Sequence, residues 1–267
     1  MVKGEPQVNH NNQPVYMNAY DFTLVQRSKV IADVDKILYI GEVHEQEWLI
    51  EEVAVILGEL CRNNKLSFLA VEYFNVEQQD IIDKWLEHEI TFEELNSLYK
   101  QGPEGFNLAK YKPILDEARR CGTRIIGVMP PRTLARQVSR TLNIPIEYRD
   151  ILDPFDVIQE YEEMITSLFP REGPMARIPI KNLLVAQSFK DSVAAAKIAE
   201  ALRLGPGAVI MGWAHVEVKG AVATRVAKLT GLNKQEYTVL GAGEGPSKVE
   251  FTKKNRGLLE TDYLLIK

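Results

Sequence analysis

Cysteine is nearly absent: Cys61 and Cys121 are the only two in 267 residues, and they lack CxxC spacing. That spacing excludes a zinc ribbon or a disulfide framework, so both are expected as small buried apolar side chains in a reducing cytoplasm. Long apolar runs are missing as well. No stretch reaches the roughly 18 residues that span a bilayer, so no membrane partner is expected. The chain also has no basic block. With a formal charge of −5, it offers no stripe to follow a phosphate backbone, which excludes a nucleic-acid partner. The start, "MVKGEPQVNHNNQPVYMN", has no apolar h-region. No secretory signal is expected, and residues 1–20 read as a flexible lead-in with His10 solvated. Internal repeats and low-complexity tracts are absent too.

What is present is ordinary globular material, 45% apolar and 26% charged, enough for one large α/β domain over residues 21–267. "KILYIG" (36–41), "SFLAVEY" (67–73), "TRIIGVM" (123–129) and "AVIMGW" (208–213) are near-continuously apolar. Such runs suit strands covered on both faces. "EYTVLG" (236–241) and "DYLLIK" (262–267) are further strands, the last one an edge. Between them, 45–62, 75–88, 107–121 and 180–203 have helical periodicity, and Gly122 suits a C-cap. Segment 131–178 holds Pro145, Pro154, Pro170 and Pro174. It reads as an insertion capping the sheet, helical near 132–141 and 154–168. The alternation predicts a mostly parallel central sheet with helices on both faces.

Open sheets of this kind bind ligands beyond the carboxyl ends of their strands. Polar groups collect there in this sequence. Glu42 and His44 follow the first run, Glu72 closes the second, Arg132 follows the third and His215 the fourth. If the chain stays extended, the period of two turns Glu42 and His44 to the same side. Two imidazoles and two carboxylates suit Zn²⁺, Mn²⁺ or Fe²⁺, and Glu42, His44, Glu72 and His215 are the candidate ligands. Without metal, His44 could serve as general base, and burial could raise the Glu72 pKa toward acid–base use. Arg132 could hold a carboxylate or phosphate. Asp191, within a strongly helical segment, could reach the site. The remaining candidates have blander readings. Glu45 to Glu47 suit a helix start, His88 suits a solvated helix end, and "GAGEGP" (241–246) suits a turn before a strand-like "KVEFTK".

With these residues in place, the chain resembles the ChaN-like branch of the superfamily that also holds erythromycin esterases and Tiki-type proteins. The matching pieces are "YIGEVHEQEW", "LAVEYFNVEQQDIIDKWL", "YKPILDEARRCGTRIIGVMPPR", "LLVAQSFKDSVAAAKIAEAL" and "IMGWAHVEVKGAVATRV". The resemblance implies a site built from Glu42, His44, Glu72 and His215, with Arg132, Gln187 and Asp191 at further family-like positions. It also implies several activities: haem binding by iron-linked lipoproteins, ester hydrolysis by histidine and glutamate, and metal-dependent proteolysis. The sequence departs from the lipoprotein members in having no lipobox cysteine, and "SVAAAK" stands where a methionine–alanine pair is usual. A cytoplasmic hydrolase of an ester or amide bond is therefore the leading expectation. His44, with Glu42 or Glu72, would activate water, assisted by a divalent ion also held by His215. Arg132, Gln187, Asp191 and Tyr73 would bind substrate. The alternative is a haem or tetrapyrrole carrier, with Tyr73, Tyr111, His44 and His215 as candidate axial ligands. A third reading keeps the polar rim as scaffolding. The expected partner is a small molecule, and whether a homodimer forms the site is left open.

Overall fold

The computed structural model describes residues 13–152, 157–169, 172 and 177–267. His10 and the start of the helix expected over 154–168 lie outside them. The strands are β1 (Val15–Asn18), β2 (Leu24–Val25), β3 (Ile37–Glu42), β4 (Phe68–Asn75), β5 (Arg124–Met129), β6 (Gly207–Gly212), β7 (Tyr237–Gly243) and β8 (Tyr263–Ile266). They form one sheet in the order β2-β1-β8-β7-β3-β6-β4-β5. Only β1 pairs antiparallel, with β2 and β8. The early helices are α1 (Arg27–Asp33), α2 (Glu47–Arg62), α3 (Gln79–Leu86), α4 (Phe92–Tyr99) and α5 (Lys112–Arg120). Next come α6 (Arg132–Thr141), α7 (Arg149–Leu152), α8 (Gln159–Leu168) and α9 (Ile180–Ala201). The last are α10 (Trp213–Val216), α11 (Val222–Thr230) and α12 (Gly245–Asn255). This is the mostly parallel α/β architecture expected from the apolar runs.

Alternate residues of each central strand serve opposite faces, which is why those runs are apolar throughout. Leu38, Ile40, Leu69, Val71 and Ile210 join the core under α1 to α5. Ile37, Tyr39, Phe68, Ala70 and Val209 join the core under α9 and α11. Helix α2 buries Leu49, Val53, Ile56, Leu57 and Leu60 as one stripe. Helix α5 stops at Gly122, whose φ of 66° follows the expected C-cap. At the β5 edge, the Gln79 side chain donates to Ile125 C=O (2.9 Å) and accepts from Gly127 N–H (3.3 Å). One amide thus makes both bonds that a neighbouring parallel strand would make.

Four expectations are corrected. The lead-in drawn to residue 20 contains strand β1, which pairs with β8 from Val15 to Asn18. That pairing puts β8 inside the sheet, not at its edge. "KVEFTK" lies in α12, where Lys248, Val249 and Thr252 are buried at helical spacing. Pro246 falls in the first turn, where a missing N–H costs nothing. Finally, Cys61 and Cys121 form a disulfide between the packed ends of α2 and α5, Cα atoms 6.1 Å apart. Both are half-buried, and the argument from cysteine usage for a reducing compartment falls with them. No helix among the described residues is long and apolar enough to cross a membrane.

Candidate functional site

Strand β6 lies between β3 and β4, so their carboxyl ends meet. Glu42 stands in register with Gly212, and the Gly212 N–H donates to Glu72 Oε2 at 2.5 Å. Glu42 lies on the α2 side of the sheet and Glu72 on the α9 side, by strand alternation. His44 links them. The strand ends at Glu42, so extended geometry does not persist to His44; a turn follows, with Glu45 at φ 63°. Turning back, the imidazole bonds Glu42 Oε1 through Nδ1 (2.9 Å) and brings Nε2 to 4.0 Å from Glu72 Oε2. The turn is held from outside. Glu45 accepts from Asn107 N–H (3.0 Å) and Lys110 (2.9 Å), and its own N–H donates to the Tyr111 hydroxyl (3.1 Å). Glu45 therefore ties two loops together and does not cap α2, whose N-cap is Gln46.

Tyr111 in turn donates to Glu42 Oε1 at 3.1 Å. Glu42 thus has a hydroxyl and an imidazole on one oxygen. Phe106 packs edge-on against His44, centroids 4.9 Å apart. The His44 side chain keeps 41% of its surface exposed. Partial burial works against its charge, but the Glu42 hydrogen bond and the Glu72 charge outweigh burial and hold its pKa above the ordinary imidazole value.

His215 sits differently. Its ring is buried, with Nδ1 against Asp191 Oδ1 and Nε2 between Glu72 Oε1 (3.5 Å) and Lys190 Nζ (3.4 Å). An ammonium only donates and a carboxylate only accepts, so a neutral Nε2 binds Lys190 and a protonated one binds Glu72. Asp191 is fully buried and accepts a second bond from the Tyr161 hydroxyl of α8, at 2.6 Å. It therefore holds His215 instead of meeting a substrate. Gln187 lies one turn earlier on α9, 3.0 Å from His215 Nδ1. Burial alone would raise the Glu72 pKa, as expected from sequence. Instead, the two imidazoles, Lys190 and the Gly212 N–H hold it below the ordinary carboxylate value.

Two cavities open here. One of about 400 Å³ is walled by Phe106, Met129, Arg132 and Lys190. The other, of about 380 Å³, is walled by Phe169, Gln187, Trp213 and His215. His44, Glu72 and Lys190 border both. Tyr73, expected at the site, is fully buried, stacks on Tyr111 and lines neither cavity. Among the described residues, no three His, Cys, Asp or Glu groups are arranged to hold a metal ion. The ligand set expected of Glu42, His44, Glu72 and His215 does not converge, because Tyr111, Gly212 and Asp191 already hold its members. Lys190 was missed, although Gln187, Lys190 and Asp191 stand at i, i+3 and i+4 of one helix. Tyr161 was missed without a local signal, since it meets Asp191 only through packing of α8 on α9.

A family model described as "Haem-binding uptake, Tiki superfamily, ChaN" matches residues 31–226. A structure titled "Cofacial heme binding to ChaN of Campylobacter jejuni" is similar at a TM-score of 0.70 and 15% identity, over 96% of this chain and 97% of that one. An erythromycin esterase mutant, EreC in its open conformation, is similar at a TM-score of 0.47 and 11% identity, over 86% and 77%. The type III effector HopBA1 is similar at 0.41 and 15% identity, over 78% and 77%. No curated protein matches.

Proposed function

The chain belongs to the ChaN family of haem-binding uptake proteins in the Tiki superfamily, and on that premise we propose that it binds haem or a related tetrapyrrole in the crevice at the ends of β3, β6 and β4. The observation that carries this reading is the state of His44. A carboxylate occupies Nδ1, the ring is wedged against Phe106, Nε2 has no partner closer than Glu72 Oε2 at 4.0 Å among the described residues, and His44 borders both cavities. A carboxylate on the far nitrogen fixes the tautomer and makes the free nitrogen a better metal ligand. The donor chemistry therefore fits an iron-binding imidazole, and His44 would hold the iron through Nε2. Haem bound there would supply a redox-active, ligand-accepting iron. Tyr73 and Tyr111 are unsuited as ligands, since both hydroxyls lie in the core and burial pushes both up in pKa, well away from a phenolate. Haemin titration followed at the Soret band tests the reading. Saturable binding with a spectrum altered by His44→Ala is expected. A wild-type titration without saturation, or one that His44→Ala leaves unchanged, sinks it.

One observation favours a second reading, hydrolysis of an ester or amide. His215 is aligned by a buried carboxylate, as a general base is in acyl-transfer enzymes, and the residue borders the second cavity. Turnover of ester or amide substrates, lost in His215→Gln, would support it. A wide panel left untouched by the wild-type protein would end it.

A further inference from the structure

The charges around the first cavity are unevenly satisfied. Three carboxylates border it, and each has partners of its own. Glu45 is taken by Lys110 and the Asn107 N–H. Glu72 is taken by the Gly212 N–H and faces both imidazoles. Glu104 accepts from Asn75 Nδ2 (2.7 Å) and from the Arg132 backbone N–H (3.2 Å). The two cations on the same cavity, Arg132 and Lys190, are less closely matched, although the Lys190 charge acts on Glu72 at longer range. Among the described residues, neither has a carboxylate within ion-pair distance. They come from two helices packed against each other, Arg132 at the first position of α6 and Lys190 in the middle of α9.

The chain makes room for one of them. A Cβ on Gly105 would meet Arg132 Nη1 at 2.1 Å, so the bare backbone at Gly105 lets the guanidinium pack against it on the cavity wall. Among the described residues, the Lys190 ammonium has one hydrogen-bond contact, a long one of 3.4 Å to His215 Nε2. Phe106 and Met129 add apolar surface to the same cavity.

We propose that Arg132 and Lys190 form a two-point clamp for an amphipathic dicarboxylate, each cation taking one carboxylate while the apolar body lies against Phe106 and Met129. This rests on the tetrapyrrole reading and deepens it: the two acid side chains, not the metal, set which porphyrins enter. Arg132 supplies a fork matched to a carboxylate, and Lys190 a point charge shared with the His215 environment.

The test uses metal-free protoporphyrin IX and its dimethyl ester, titrated into the full chain by fluorescence, so that iron ligation plays no part. Removing one charge-assisted contact at a partly exposed site should weaken binding about tenfold. Wild-type protein should therefore bind the diacid about a hundredfold more tightly than the diester. Arg132→Gln and Lys190→Met should each cost about tenfold for the diacid and nothing for the diester. Thermal melts check that both variants fold, and Arg132→Lys should recover part of the loss. Equal affinity for diacid and diester, or variants that weaken both alike, overturns the clamp even if haemin still binds through His44. No saturable binding of the diacid also overturns it, and the haemin titration with His44→Ala then decides the tetrapyrrole reading separately.

Discussion

Replacing Gly41 by alanine would place a methyl carbon 2.7 Å from Glu217 Oε1 and 2.9 Å from its Cγ. A flexible carboxylate would ordinarily swing away. This one cannot, because Gly241 on the adjacent strand lies on its other side, where a Cβ would be 2.3 Å from Oε2. Glu217 is fully buried and bonded to Lys248 Nζ at 2.7 and 2.9 Å and to the Thr261 hydroxyl at 2.9 Å. Moving it breaks a buried ion pair and leaves an ammonium without its counter-charge, a change that costs about 3–5 kcal/mol when one partner is lost. Taking about 3 kcal/mol, and roughly 2–4 °C per kcal/mol for a chain this size, Gly41→Ala should lower Tm by about 6–12 °C. Urea unfolding would give the free energy. The decisive arm is the same substitution in a Glu217→Ala, Lys248→Met background. There the methyl group enters vacated space and should cost less than about 1 kcal/mol, so the coupling should be about 2 kcal/mol or more. Equal costs in both backgrounds would refute the argument, since the strain would then lie in the strand and not in the carboxylate.

His44 should titrate above a free imidazole, and Glu42→Gln should bring its pKa down in an NMR pH titration; an unchanged value would remove Glu42 as the cause. By linkage, a raised folded pKa adds stability that is fully present below the unfolded value and is lost as pH rises through the folded one. Urea midpoints should therefore fall across that window in the wild type and less so in Glu42→Gln. The Cys61–Cys121 link closes a loop of 60 residues, worth about 4 kcal/mol by chain entropy. Cys61→Ser should lower Tm accordingly. Recovery of both cysteines as free thiols from unreduced protein would refute the pairing.

The strands were legible because burial on both faces leaves a contiguous apolar run, and "KILYIG" or "SFLAVEY" admits little else. β8 was read as an edge because its outer neighbour comes from a polar segment in which only Tyr16 and Met17 of β1 are buried. Helix α12 was missed for a related reason. It buries the aliphatic part of a lysine, so its inner face does not look apolar. At the site, groups that sit at strand ends could be read directly: Glu42, His44, Glu72, Arg132 and His215. Groups that act by reaching across the fold could not. Asp191 was named for the wrong role, because only packing reveals that Tyr161 and His215 enclose it. Glu217 carries no sign of its partners, since Gly41, Gly241 and Lys248 converge on it from three separate elements.

The amide of Gln79 at the β5 edge constrains how copies of this molecule can meet. It occupies the Ile125 carbonyl and the Gly127 N–H, which an incoming parallel strand would need. The opposite border is β2, only two residues long. A sheet stoppered at one margin and cut short at the other offers poor templates for strand-by-strand growth. Neither margin therefore invites a second copy to extend the sheet.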